Sequence, residues 1–275
     1  MLTPSTPPID FRSGALLLVN KPIGWTSFDV VNKLRFSIRK RLQLRKIKVG
    51  HAGTLDPMAS GLLLICTGKW TKRLNDLQGM PKTYTGAFAL GGTTPSYDLE
   101  TEIDERFPVD HIDADLLEKA RLALSGPIEQ MPPMFSAIKV NGQPLYKKAR
   151  AGETIERKAR PVEILDFRLG EVVGLPQVQT SPGPDLPAGA KVPTIAVEDH
   201  ASQELASVDF LISCTKGTYI RSMAHDFGKL CASGGHLKSL CRTSIGPYVL
   251  EEAWDLDQLV EYILEGEVEE AASDT

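Results

Sequence analysis

The 275-residue sequence holds only four cysteines, Cys66, Cys214, Cys231 and Cys241, and no two of them form a Cys-X-X-Cys pair. Neither a disulfide framework nor a zinc ribbon can be written from that spacing. Reduced thiols in a cytoplasmic protein are expected, with no metal. Long apolar runs are also missing: no uninterrupted stretch approaches the ~20 residues that a membrane span needs. The start, "MLTPSTPPIDFRSG", lacks the basic opening and apolar middle of a signal peptide. A phosphate-binding loop is absent too. "GLLLICTGK" invites that reading, but six residues separate Gly61 from Gly68 where Walker A has four. Trp70 then stands where a Ser or Thr would meet magnesium. A hydrolase using Asp56 and His225-Asp226 lacks a serine or cysteine elbow. No internal repeat is present.

What the sequence does have is an ordinary globular composition, 42% hydrophobic and 24% charged, on a chain long enough to bury a full core. The net charge of −4 is unevenly spread. Residues 251 to 275 carry ten acids and no Lys or Arg, so residues 1 to 250 stand at +6. Within that body Lys33 to Gly50, "KLRFSIRKRLQLRKIKVG", holds eight bases and no acid. A second stretch, Ile138 to Arg160, holds seven bases and two acids. One basic run is usually a solvated face. Two of them point to a polyanionic partner, because fields are local and screened within about 10 Å.

The apolar pattern predicts a mixed α/β (α+β) domain without a regular βαβ rhythm. "ALLLVNKPIGWTSFDVVNKLRF" reads as strand, turn and helix, with Thr26 or Ser27 as cap and Val30, Val31 and Leu34 inward. "KTYTGAFALGG" alternates as a strand with Tyr84, Phe88 and Leu90 on one face. "DADLLEKARLALSG" predicts a capped helix closed by Gly126. An irregular Pro-rich excursion with an Asn141-Gly142 turn follows. Residues 171 to 207 hold five prolines and read as a partly mobile surface insertion. "SVDFLISC" resumes as a strand, then a Lys216-Gly217 turn, a helix from about Thr218, and a last helix in "WDLDQLVEYILEG".

Two charged residues stand out. Asp56 is the single carboxylate between Val49 and Lys72. Pro57 disfavours the α region for Asp56 and suits the first helical position. Asp-Pro before "MASGLLLI" therefore predicts a helix with Asp56 as N-cap, a role that by itself accounts for the residue. The second reading is chemical, since Gly50, Gly53 and Gly61 allow another backbone to come close. His51 lies five residues before Asp56, after the basic run. Arg221 sits in the first turn of its predicted helix, where the dipole disfavours a cation. A buried carboxylate paired with this arginine would fit both oddities.

Five segments together resemble one family, and they appear in its order and approximate spacing. They are "LLLVNKPIGWTSFDVVNKLR", "KVGHAGTLDPMASGLLLICTGKWTK", "KTYTGAFALGGTTPSYDLE", "MPPMFSAIKVNGQPLYKKARAG" and "CTKGTYIRSMAHDFG". The chain from about Ala15 to Trp254, apart from 171–207, is similar to the bacterial TruB family of tRNA pseudouridine-55 synthases. The resemblance implies a largely antiparallel sheet flanked by helices, in a single catalytic domain. It also implies isomerisation of the T-loop uridine of tRNA to pseudouridine, moving the ribose bond from N1 to C5 of the same base. No cofactor or group donor is implied, and the expected state is a monomer.

Carried over by resemblance, Asp56 is the essential aspartate, Tyr84 stacks on the reacting base and relays a proton, and Arg221 pairs with the aspartate. Tyr219 lies beside that arginine. His51 fills the space left by the extruded nucleotide, Leu240 packs on the base, and Lys21 with Pro22 supports the active-site loop. Addition to the base, attack at C1′ and proton removal at C2′ each use one carboxylate, so the sequence leaves the target atom open. Residues 126–152 resemble a thumb-like insertion that clamps the T-arm. That argues against the related synthases that need guide RNA and partner proteins. The family's C-terminal RNA-binding PUA domain is expected to be absent, because only an acidic end follows "WDLDQLVEYILEG". Two other readings remain: a pseudouridine synthase on another T-arm-like RNA, and an RNA-binding folding aid.

Overall fold

A computed structural model describes residues 9–140, 142–178 and 205–265. The chain divides into two compact units, one made of Met1–Met80 with Arg242–Thr275, the other of Pro81–Cys241.

In the first unit the strand Leu16–Lys21 runs antiparallel to Ser60–Thr67 and parallel to the short Trp254–Asp255. Val49–Ala52 pairs antiparallel with Leu64 to Thr67 of the same strand, with His51 opposite Ile65. The helix Ser27–Arg41 starts where expected. Thr26 is its cap in a full capping box, with Asp29 reaching back to the Thr26 amide, and Val30, Val31 and Leu34 are buried. This helix and Leu256–Glu265 cover one sheet face, where Leu34, Ile38, Leu63, Ile65 and Leu259 share a core. Leu62, Leu64 and Cys66 enter a separate apolar cluster with Leu77 and Ile245.

That two-sided burial corrects the reading of Asp56. "SGLLLICT" is a strand, not a helix, so Asp56 is no helix cap. A strand covered on both faces shows a continuous apolar run, which periodicity cannot tell from a buried helix. Asp56 instead opens a tight turn through Pro57 and Met58, closed by Ala59 N–H to the Asp56 carbonyl at 3.1 Å.

In the second unit Lys82–Leu90, Ala206–Cys214, Arg160–Val173 and Gly126–Gln130 follow one another in antiparallel order. Gly126 therefore opens a strand, and the helix Ala114–Ala123 ends at Leu124 before it. Tyr84, Phe88 and Leu90 are buried, but so are the residues between them, because both faces of Lys82–Leu90 are covered. Phe88 stacks on Phe210 at 4.3 Å and meets Phe227 of the helix Ile220–Leu230 at 5.3 Å. Lys139–Val140 and Gln143–Pro144 pair antiparallel, Asn141 of the expected turn lies outside the described residues, and Leu145–Arg150 follows as a short helix. Of the interval 171–207, both ends are strand residues: Val172 pairs with Val208 and Val173 with Ser207. Its middle, 179–204, lies outside the described residues. The strand Gly235–Ile245, which the sequence reading passed over, contributes its first residues to this unit and its last to the other. Among the described residues no helix is long and apolar enough to cross a membrane.

Candidate active site

The loop between Val49–Ala52 and Ser60–Thr67 carries Asp56, and several bonds tie it down. Gly53 takes a φ of +91°, a conformation glycine adopts without strain. The Ser27 hydroxyl, in the first turn of its helix, accepts from the Leu55 amide at 2.8 Å and donates to the Leu55 carbonyl at 3.2 Å. Gly24 N–H reaches the Pro57 carbonyl at 2.8 Å, which joins the Lys21–Gly24 turn to the loop. Arg242, 1% exposed, donates to the carbonyls of Leu62 at 2.8 Å, Gly53 at 3.1 Å and Thr54 at 3.5 Å. Asp56 itself is half-buried.

Lys21 is fully buried in the same unit, its ammonium on the carbonyls of Pro22 at 2.9 Å and Trp25 at 2.7 Å. Burial pulls its pKa down to about 8, against the opposing pull of the Asp56 carboxylate. At neutral pH it therefore remains a cation whose field reaches Asp56. Its two hydrogen bonds hold the Pro22–Trp25 turn, whose Gly24 amide in turn meets the Pro57 carbonyl. His51, half-buried on its strand, is held below the usual histidine range by burial, so the neutral imidazole prevails near pH 7. Its Nδ1 is buried without a hydrogen-bond partner among the described residues.

In the second unit Arg221 is the second residue of the helix Ile220–Leu230 and is 4% exposed. Its Nη1 donates to Ser96 O at 3.0 Å and its Nη2 to Phe135 O at 2.7 Å, and its Nε lies 3.5 Å from Asp98 Oδ2. Asp98 is equally buried, and its other oxygen accepts from the Glu100 amide. A cation in the first turn of a helix is thus explained by a buried carboxylate in the same unit. Sequence reasoning quoted "TTPSYDLE" but did not weigh Asp98, since one acid in a polar loop carries no periodic signal.

Tyr219 caps this helix, and Gln130, fully buried, grips its backbone by accepting from the amide at 2.8 Å and donating to the carbonyl at 3.1 Å. Tyr84 lies on Lys82–Leu90 opposite Ile212 and is 7% exposed. Leu240 is buried on Gly235–Ile245. That strand passes so close that a Cβ on Gly86 would lie 2.1 Å from the Ser239 carbonyl, which demands glycine there. Tyr84, Tyr219, Arg221 and Leu240 thus belong to one unit, and Lys21, His51 and Asp56 to the other. Arg242 and Gln130, like Asp98, were missed: a buried polar side chain serving carbonyls leaves no mark on composition or spacing.

The chain is 45% identical over 250 residues to tRNA pseudouridine synthase B of Flavobacterium johnsoniae, covering 90% of this chain and 96% of the relative. To the protein of the same name in Phocaeicola vulgatus it is 41% identical over 266 residues, covering 97% and 100%. A crystal structure of a Cbf5-Nop10-Gar1 complex shares the fold at a TM-score of 0.58 and 24% identity, over 92% of this chain and 55% of that one. The model of the TruB family pseudouridylate synthase N-terminal domain matches residues 39–181. By that match and by those relatives, the chain belongs to the TruB family of pseudouridylate synthases.

Proposed function

We propose that this protein converts uridine to pseudouridine at position 55 in the T-loop of tRNA, acting as a cytoplasmic monomer without guide RNA. The observation that carries the reading is identity of 40–45% across most of the chain to proteins named tRNA pseudouridine synthase B. The reaction is an isomerisation. The N1–C1′ bond breaks, the base turns, the C5–C1′ bond forms, C5 loses its proton and N1 gains one, so no oxidant or group donor enters the balance.

A uridine in a folded loop must first leave its stack, at a cost of a few kcal/mol. Tyr84 recovers part of that by stacking on the flipped base, worth about 1–3 kcal/mol per base. Asp56 supplies the one carboxylate that starts the rearrangement, and Tyr84 relays the proton. Arg221 is the cation for that carboxylate, with Asp98 as a positioning residue that holds the guanidinium in orientation. Tyr219 and Leu240 line the base, His51 occupies the position the nucleotide vacates, and Lys21 steadies the loop. The excursion 126–152 clamps the T-arm.

Release of tritium from [5-³H]uridine-labelled tRNA tests the reading, because it reports loss of the C5 proton rather than binding. The purified protein alone is expected to release it. Asp56→Asn is expected to fall to background, a loss of roughly 10³-fold or more, while still binding tRNA. Equal release by both proteins would remove Asp56 from the chemistry. Tight binding with no release from either would direct attention to another RNA or to a folding aid.

A further inference from the structure

The helix Ser27–Arg41 buries Val30, Val31, Leu34 and Ile38 and leaves two phenylalanines on its solvent side, Phe28 at 60% and Phe36 at 66% exposure. The core has no use for Phe36, and an aromatic is a weaker helix former than the Lys or Glu usual at such a position. Its surroundings are uniform in sign. Lys33 lies three residues before it, Arg39 and Lys40 three and four after, and all three are exposed. Residues three and four apart are neighbours on a helix surface, so the ring sits among cations. The single acid of the helix, Asp29, is consumed by the cap, accepting from the Thr26 amide and hydroxyl. Lys33 and Lys40 have no carboxylate within ion-pair range among the described residues. Exposed bases continue beyond the helix at Arg45, Lys46 and Lys48.

We propose that Phe36, with Lys33, Arg39 and Lys40, forms a stacking platform for an unpaired base of the tRNA substrate, a contact additional to the reacting uridine. This rests on the tRNA reading above. An aromatic face within a basic surface is what binds unpaired nucleic acid: the ring takes the base and the cations take the flanking phosphates. Lys33 to Lys40 spans about 10 Å along the helix axis, enough for phosphates on both sides of one base. A protein partner fits less well, since the centres of protein interfaces are depleted of lysine.

The test is the Kd for an unmodified tRNA transcript, measured at several salt concentrations. Phe36→Ser is expected to weaken binding about tenfold without changing the salt slope. Phe36→Trp is expected to retain wild-type affinity. Lys33→Gln is expected to lower the slope of log Kd against log salt by about one. Leu122→Ser removes a similarly exposed apolar side chain from the helix Ala114–Ala123 and is expected to change nothing. All three sites are exposed, and thermal melts of the four variants check the fold. An unchanged Kd for Phe36→Ser would overturn the proposal, as would a change that appears only as altered self-association in light scattering. Wild-type protein that binds tRNA yet releases no tritium would instead fail the isomerase reading and leave the Kd comparison to judge the platform.

Discussion

In the first unit the buried cations Lys21 and Arg242 rest on backbone carbonyls, whereas in the second Arg221 has the buried carboxylate of Asp98 as well as carbonyls. Carbonyl dipoles replace part of a cation's hydration, but they do not cancel its charge. The cost is visible in Lys21, whose pKa burial has pulled to about 8. Arginine cannot shed its proton at any working pH, so Arg242 answers burial with three acceptors and Arg221 with a counter-ion. The difference also separates two tasks. Arg242 fastens the loop before Asp56, and Lys21 fastens the Pro22–Trp25 turn that meets it. Asp98 orients a guanidinium.

The comparison breaks most sharply at Asp98. Asp98→Ala leaves Arg221 buried beside no carboxylate from this loop, and the expected loss is about 3–5 kcal/mol of stability in urea unfolding. Asp98→Asn keeps the shape and is expected to lose less, while still lowering tritium release. Next comes Arg242→Met, which removes the charge but keeps much of the stem. It removes the donor that three carbonyls share and is expected to cost about 2–4 kcal/mol. Release at saturating tRNA is expected to fall with it, because the Gly53–Thr54 segment loosens. A loss at Arg242 exceeding that at Asp98→Ala would invert the contrast between dipole-held and ion-paired cations.

The smallest effect is read from pH. A free lysine titrates at 10.5 and folded Lys21 at about 8, so below pH 8 both states are protonated and the burial cost is fully present. Between about pH 8 and 10.5 the unfolded chain holds more protons than the folded one. Stability therefore rises with pH across that window. The stability difference between wild type and Lys21→Met is expected to shift toward wild type by up to about 3 kcal/mol there. A difference that stays flat from pH 7 to 10.5 would show that the ammonium is not desolvated.

Much of this was legible before any coordinates. The opening strand, turn and helix, the Thr26 cap with its inward Val30, Val31 and Leu34, the helix after Lys216-Gly217 and the mixed α/β class all follow from local rules. Arg221 was legible as a broken rule, a cation where the helix dipole repels it. The segment after Asp56 was not. "SGLLLICT" is apolar at nearly every position because both its faces are covered, and such a run has no period to read. Gly126 looked like a helix stop because glycine after a helical pattern usually is one. Here its φ of +76° starts the next strand. Asp98, Arg242 and Gln130 gave no signal, since their partners lie far along the chain or are backbone atoms that every residue has.

By itself the sequence determined the local conformations that nearest neighbours enforce: caps, glycine turns, the one-sided helices and the basic surface around Phe36. It also determined family membership, through motifs whose order and spacing survive without any knowledge of contacts. Only the tertiary structure decided that Asp56 opens a turn before a strand, that Arg242 fastens its loop, and that Arg221 is buried beside Asp98. The physical reason is that burial, and with it the cost of an unpartnered charge or carbonyl, is a property of distant segments packed together. No window of neighbouring residues contains it.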